Sequence, residues 1–536
     1  MRRWNGWGDE TLAFAVPPEA LAFLEAALGA GTPPRDVTLS DAAAAVPATR
    51  LSKGVLLRTD PEVRLRHALG QSFPDWVALR SGRIPSFPDA VAFPESGSDV
   101  RDLLRFAAWA GARIIPYGGG TSVVGHLTPP AGDAPVITAD MGRMSRMTRL
   151  DETSGLATFG AGVAGPFLEA QLRARGLTLG HYPQSFDYST LGGWVATRSS
   201  GQQSAHYGRI ERLFAGGRLE SPAGTLDLPV FPASAAGPDV REMVLGSEGR
   251  MGILTEATVR VRRLPDHEAF FGVFFPDWLS GLRAVRAMVQ AGLPLSMARL
   301  NTAEETRTSL LLAGKPRLTA LLRRYLSWRN VGEDGCLAIL GVTGHPALCK
   351  TARAEALSTA RAMGGIDVGG TAGRAWRKNR FRAPYLRNGL WEAGYAVDTL
   401  ETALPWSRIP SALEAVETAL RRGLEPSGET VHVMSHVSHV YPDGASLYTT
   451  YLFRLAGPEA DLERWRTLKG AASRAIVASG GTISHQHGVG LDHAPYLAAE
   501  KGTLGMAAIA AATEALDPEG LMNPGKLMAE EPRRVG

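Results

Sequence analysis

Three consecutive glycines followed by two hydroxyl side chains, in Pro116-Tyr117-Gly118-Gly119-Gly120-Thr121-Ser122, constrain this chain more than any other stretch. Lacking Cβ atoms, such a backbone can turn through positive φ and bring bare N–H groups against a phosphate. The preceding Ala112-Arg113-Ile114-Ile115 reads as a short buried strand, and open α/β architectures bind ligands where loops leave strand ends. The spacing fits neither G-x-G-x-x-G nor G-x-x-x-x-G-K-[ST]. By itself the run reads equally as a flexible turn or a nucleotide cradle, and the remaining sequence decides between them.

The chain has 536 residues, which is more than one core usually serves, so two or three domains are expected. A formal net charge of +4, spread along the sequence, argues against nucleic acid as a partner. The two cysteines, Cys336 and Cys349, are too few for a disulfide framework and point to a reducing compartment. Met1 to Gly8 lacks the apolar core of a signal peptide, and no apolar run reaches membrane-span length. Arg533-Arg534-Val535-Gly536 is not an S-K-L address, so the cytoplasm is expected.

Residues 9–84 carry helical spacing at Glu19 to Leu28 and Pro61 to Leu69. Ala90-Val91-Ala92-Phe93 then reads as a strand, Ser98 as the cap of a helix running to Ala110, and Ala112 to Ile115 as a second strand, together a βαβ unit. Further strands are expected at Ala134 to Thr138, Gly155 to Phe159 and Ala257 to Val261, with a helix at Pro166 to Arg175. From Ala269 a different rhythm begins. Helical patterns at Leu279 to Ala291, Glu304 to Leu312, Ala352 to Met363 and Arg408 to Arg422 alternate with strand-like runs at Leu337 to Gly341, Val431 to Val440 and Leu447 to Leu455. From Glu459 the chain reads as mostly helical, broken by a strand and loop over Thr482 to Gly490, and no basic amphipathic helix stands out.

Two more glycine- and hydroxyl-rich segments follow the first. His181 to Trp194, continuing through Ala196-Thr197-Arg198-Ser199-Ser200-Gly201, leaves room for a flat ring and offers hydroxyls to polar edges. Leu245-Gly246-Ser247-Glu248-Gly249-Arg250-Met251-Gly252-Ile253-Leu254 is a glycine-punctuated loop entering a strand. In this order and separation the three segments resemble the PCMH-type FAD-binding domain of the vanillyl-alcohol oxidase superfamily.

The resemblance implies an α+β fold: a helical N-terminal region (1–84), a two-subdomain FAD-binding domain (85–264), an α+β cap domain (265–458) and a helical C-terminal region (459–536). It implies FAD contacts from Pro116, Tyr117, Gly118, Gly119, Gly120, Thr121 and Ser122, which would wrap the pyrophosphate. Further contacts are implied from Gln184, Ser185, Asp187, Ser189 and Thr190, from Thr197, Arg198, Ser199 and Ser200, and from Glu248, Gly249, Gly252, Ile253 and Leu254. Asn523-Pro524-Gly525-Lys526 is also typical of these flavoproteins. Some members tether FAD through a histidine, and His126 is the one nearby; noncovalent binding is the reading adopted.

Trp4-Asn5-Gly6-Trp7-Gly8, Met297-Ala298-Arg299-Leu300, Pro384-Tyr385-Leu386-Arg387, Glu401-Thr402-Ala403-Leu404-Pro405-Trp406 and Gly444-Ala445-Ser446-Leu447-Tyr448 resemble the alkylglycerone-phosphate synthases over nearly the whole chain. Those enzymes exchange the acyl ester of acyl-dihydroxyacetone phosphate for a fatty-alcohol ether, with FAD acting covalently through N5 and no net redox change. By that resemblance Tyr448 is a base whose pKa is expected to be lowered, and Arg387 receives the departing carboxylate through its planar fork. Arg299 binds substrate phosphate or frames the site.

Ser484-His485-Gln486-His487-Gly488 departs from the family, which carries three histidines there. On a strand His485 and His487 would share a face and Gln486 would oppose them. A 2-hydroxyacid dehydrogenase of the same superfamily is the alternative. Gln486 and Tyr448 stand where its metal site would need a carboxylate and an imidazole, so no metal is expected, although His432, His436 and His439 crowd one segment. A lipid-like small-molecule substrate, peripheral membrane contact and a homodimer complete the expectations.

Overall fold

A computed structural model describes residues 2–52 and 56–528; the terminal Arg533-Arg534-Val535-Gly536 lies outside the described residues. The fold is α+β and is organised around three large sheets. The first has the order Leu57–Arg58, Ala90–Ala92, Val136–Asp140, Arg113–Tyr117, and its last three strands run parallel. The βαβ unit therefore exists, with a later strand inserted between its two strands.

Its helix, Gly97–Ala110, is capped by Ser96 and not by Ser98. The Ser96 hydroxyl accepts the Asp99 N–H at 3.2 Å while the Asp99 carboxylate accepts the Ser96 N–H at 3.1 Å. That reciprocal box requires three-residue spacing, which Ser98 lacks.

The second sheet is antiparallel, in the order Met147–Asp151, Leu156–Gly160, Ile253–Arg260, Phe214–Ser221, Gly224–Leu228. The third has seven antiparallel strands, ordered Ile366–Gly369, His267–Phe275, Cys336–Gly344, Leu295–Asn301, His432–Val440, Gly444–Arg454, Tyr395–Pro405. Helices Trp278–Gln290 and Pro346–Ala362 bury Ala284, Val285, Met288, Ala356 and Ala360 against one part of this sheet.

The N-terminal region contains a helix that periodicity misses. Phe73–Ser81 buries Phe73, Asp75, Trp76, Val77, Leu79 and Arg80, so it shows no polar face to reveal a 3.6-residue period. It packs with Trp7, Tyr385 and Trp391 against Leu400, Val433, Tyr451 and Phe453 of the third sheet. Trp4-Asn5-Gly6-Trp7-Gly8 thereby joins the wall of the cap: the Trp7 N–H donates to Asn388 Oδ1 at 3.3 Å, and Asn388 Nδ2 returns a bond to the Trp7 carbonyl at 2.9 Å.

The stretch Thr482 to Gly490 holds no strand; it is a loop between the helices Pro458–Ala478 and Ala494–Leu516. Gly488 (φ 86°) and Gly490 (φ 52°) turn it where a strand would have to stay extended. Among the described residues no helix is long and apolar enough to cross a membrane.

Candidate active site

The strand Arg113–Tyr117 delivers the triple-glycine loop into a cleft between the first two sheets. Every residue from Pro116 to Ser122 lines it, together with Ser185, Ser189, Thr190, Thr197, Ser199, Glu248, Gly249, Gly252, Ile253 and Leu254. A Cβ on Gly119 would collide with the Tyr188 carbonyl, and one on Gly118 with the Thr190 hydroxyl, so the bare backbone is a steric requirement. The helix Leu191–Ala196 begins at the cleft with Thr190 as its cap, and its first N–H groups are taken up by the Val163 and Ala161 carbonyls and the Thr190 hydroxyl. A cradle of glycines, hydroxyls and backbone donors this long fits FAD.

Gln184, Asp187, Arg198 and Ser200 lie off that lining. Asp187 accepts from the Tyr385 hydroxyl at 3.4 Å, Arg198 bonds the Leu245 carbonyl and Glu242, and the Ser200 hydroxyl lies 3.0 Å from His439 Nδ1.

The Glu248 carboxylate is directed at protein groups. It accepts the N–H groups of Val489 (2.5 Å) and Gly490 (2.8 Å) and lies 3.1 Å from His126 Nε2. The other ring nitrogen of His126 is 2.7 Å from the Ser122 hydroxyl, while Nε2 is buried with no hydrogen bond. The Asn523 amide donates to the Glu248 carbonyl at 2.7 Å, and Lys526 Nζ donates to the Thr128 carbonyl at 2.5 Å. Arg198, Glu248 and Asn523 all hold positive φ, strain that only a well-determined surround sustains.

Cross-strand register sets out a polar row on the third sheet: Glu401 opposes Tyr448, Tyr448 opposes His436, and His436 opposes Asn301. Directly opposed residues share a face. The Tyr448 ring stacks on His436 (5.0 Å, 22°) and meets His487 edge-on at 5.8 Å. Arg299 bonds Glu305 and, at 3.0 Å, Asn301 Oδ1, while His436 Nδ1 lies 3.0 Å from Glu305. Arg299 is thus committed to the frame around Tyr448. Burial opposes charge on Glu305, but His436 and Arg299 hold its carboxyl down at about 2.

Tyr448 itself departs from the lowered pKa expected of it. Burial, with the nearby Glu401, raises its phenol, and Arg299 offsets only part of the effect. Burial likewise pushes the imidazoles of His436, His439, His485 and His487 down, His439 to about 3. The site is built from neutral hydrogen-bonding rings.

Glu401 was not singled out in the sequence, and it organises the His-Gln-His loop. It is 1% exposed and accepts the N–H groups of His485 (3.1 Å), Gln486 (3.0 Å) and His487 (3.0 Å), together with the Ser484 hydroxyl at 2.9 Å. Three successive N–H groups converging on one anion make a nest, which excludes strand alternation. The side chains accordingly diverge. His485 lies 2.6 Å from the Tyr441 hydroxyl and packs on His439, His487 meets Tyr448, and Gln486 lines the flavin cleft beside His487.

The structure does not set Arg387 beside Tyr448. Asp398 and Tyr451 oppose one another three residues along from the Glu401–Tyr448 pair, hence on the other face of the sheet, and Asp398 is the largest charge acting on Arg387. Arg387 Nη1 donates to the Gln71 carbonyl at 2.5 Å and its guanidinium lies 4.2 Å over the Trp76 ring. Burial lowers its pKa to about 10, and Nη2 is buried without a hydrogen-bond partner. Burial also raises the Asp492 carboxyl to about 7, with Lys469 pulling against it and Asp398 and Asp75 adding to it. His432 points away to Thr308 and Glu304, and among the described residues no group of three or more His, Cys, Asp or Glu is placed to hold a metal ion.

Residues 264–527 match the family FAD linked oxidases, C-terminal domain, and residues 88–227 match the FAD binding domain family. The chain is 31% identical over 483 residues to the alkyldihydroxyacetonephosphate synthase of Dictyostelium discoideum, covering 88% of this chain and 78% of that one. It is also 31% identical over 487 residues to the synthase of that name from Trypanosoma brucei brucei, covering 89% and 79%. A solved alkyldihydroxyacetonephosphate synthase superposes with a TM-score of 0.84 at 26% identity, over 98% of both chains.

Proposed function

The chain belongs to the alkyldihydroxyacetonephosphate synthase family of FAD-linked oxidases, and we propose that it exchanges the acyl ester of acyl-dihydroxyacetone phosphate for a fatty-alcohol ether. The observation that carries this reading is the polar row Glu401–Tyr448–His436, with His487 packed edge-on to its tyrosine and lining the flavin cleft. FAD, when bound, supplies a nucleophilic ring nitrogen. Tyr448 Oη removes the proton from the ester-bearing carbon, and the neutral His487 imidazole is the group placed to take the phenolic proton. Because burial raises Tyr448, a phenolate there forms only as that proton is passed on. Arg299, through Glu305 and His436, fixes the ring plane. Arg387, held on the other face of the sheet, stands outside this arrangement.

Cytoplasmic residence, a homodimer and the absence of a nucleic-acid partner belong to the same reading, and the free, buried Cys336 and Cys349 support a reducing compartment. The test is anaerobic. Purified yellow protein mixed with acyl-dihydroxyacetone phosphate should release fatty acid in an FAD-dependent manner without reducing an electron-accepting dye. Stoichiometric dye reduction by a 2-hydroxy acid would instead establish a dehydrogenase. Tyr448→Phe should retain FAD and lose about 10²- to 10⁴-fold in turnover; full activity would remove Tyr448 from the mechanism.

A further inference from the structure

The opening motif Trp4-Asn5-Gly6-Trp7-Gly8 has no place in the chemistry above, yet the chain closes it into a tight loop in which the Arg3 N–H donates to the Gly8 carbonyl at 2.8 Å. One side of that loop lies on the cap helix Ala383–Glu392. Trp7 and Asn388 exchange two hydrogen bonds there. Arg80 clamps the pair, its Nε donating to the Asn5 carbonyl at 2.9 Å and its Nη2 to Asn388 Oδ1 at 3.1 Å. A Cβ on Gly6 would stand 2.5 Å from Asn388 Oδ1, and one on Gly8 would collide with the Tyr385 ring, so both glycines permit the loop's approach to this helix.

The other side of the loop lies on the flavin seat. Trp7 meets the Tyr188 ring edge-on at 5.7 Å, and the Arg2 guanidinium stands 5.2 Å over the same ring. Tyr188 supplies the carbonyl that forbids a side chain at Gly119. Burial raises the phenol of Tyr117, on the glycine loop itself, and Arg2 is the cation that offsets part of the rise. Gln71 joins the two sides: its N–H donates to the Ser122 carbonyl at 2.6 Å, its side-chain amide reaches the Gly6 carbonyl at 3.4 Å, and its own carbonyl accepts from Arg387 Nη1. Residues 2–8, Gln71, Tyr188, Tyr385 and Asn388 all stand off the lining of the flavin cleft. Any influence they have on the cofactor is therefore indirect.

Glycine loses more conformational freedom on ordering than any other residue, so a ligand that must order the 118–120 run binds more weakly for doing so. A contact that already holds the loop removes that penalty, and by linkage the bound ligand firms whatever makes the contact. We propose that residues 2–8 form a strap coupling the flavin seat to the cap: FAD fixes residues 117–122, these fix Gln71 and Tyr188, and the strap carries the constraint to Asn388 and Tyr385. The coupling concerns cofactor seating alone and stands apart from the reaction assigned to Tyr448.

The test reads FAD release from the loaded full chain on dilution, followed by flavin fluorescence, beside amide hydrogen exchange over 383–392 in the loaded and FAD-stripped protein. In the parent, FAD should slow exchange of that helix about 10-fold. Asn388→Ala should release FAD about 10-fold faster and erase the effect of FAD on the helix, although Asn388 is off the cleft lining. Arg2→Gln leaves the buried packing intact and should release FAD about 3-fold faster, which keeps the test decisive if Asn388→Ala does not fold. Parent protein whose 383–392 exchange ignores FAD overturns the proposal. So does a strap that is merely structural, seen as lowered melting temperatures in both variants with FAD release unchanged.

Discussion

Glu401→Gln tests the organisation of the site at its least exposed point. Oε1 accepts from the Ser484 hydroxyl, Gln486 N–H and His487 N–H, and Oε2 accepts from His485 N–H. A glutamine of the same shape can keep one oxygen toward the first three donors, but its amino group then confronts the His485 N–H. A buried donor left unmade costs about 1–3 kcal/mol, and the remaining bonds lose their charge assistance, worth roughly 1 kcal/mol each. Allowing for non-additivity, the loop conformation loses about 3–4 kcal/mol, a shift of two to three powers of ten in its opening equilibrium. Amide hydrogen exchange at residues 485–487 should therefore accelerate about 10²- to 10³-fold. Turnover should fall about 10²-fold as His487 loses its place against Tyr448. Flavin content should not change, because Glu401 lies outside the cleft lining. Unchanged exchange at those three amides would refute the claim that Glu401 holds the loop.

Gly119→Ala places a methyl group against the Tyr188 carbonyl, and the purified variant should be colourless while its far-ultraviolet circular dichroism matches the parent. Gln486→His, measured by fatty-acid release, should change turnover and leave His485 and His487 amide protection alone, because the loop is held through its backbone; a loss of protection would count against that. Asp492→Asn should stabilise the protein in a pH-dependent way. With its folded pKa raised from 3.8 to about 7, Asp492 contributes stability that is complete below pH 3.8 and lost as pH rises through 7, so the gain from the amide grows across that window to at most about 4 kcal/mol. Denaturant melts of both proteins at several pH values measure it, and a gain independent of pH would remove the titration argument.

The glycine-lined cleft was legible because close backbone approach demands glycine, and glycine is visible in a sequence. Seven successive residues from Pro116 to Ser122 fall on the cleft for that reason. Glu401 was hidden because three of its four partners are backbone N–H groups more than 80 residues away, which leave no side-chain signature. Its signal was the presence of Asp398 and Glu401 in a strand with no other charged residue, since buried carboxylates require donors. The strand expected over Thr482 to Gly490 failed where Gly480, Gly481, Gly488 and Gly490 already argued for turns.

The stitching of Asn523 to the first sheet bears on how the protein is made. Asn523 donates its N–H to the Ile114 carbonyl and its amide to the Glu248 carbonyl, while Met522 bridges Ile114 in parallel. A ribosome adding 5–20 residues per second needs on the order of 20–80 s to travel from Ile114 to Asn523. For that interval the glycine loop waits, synthesised and unclosed. Cofactor loading is accordingly an event of the nearly finished chain, and a nascent protein cut short before Leu521 would leave the ribosome with its flavin seat open.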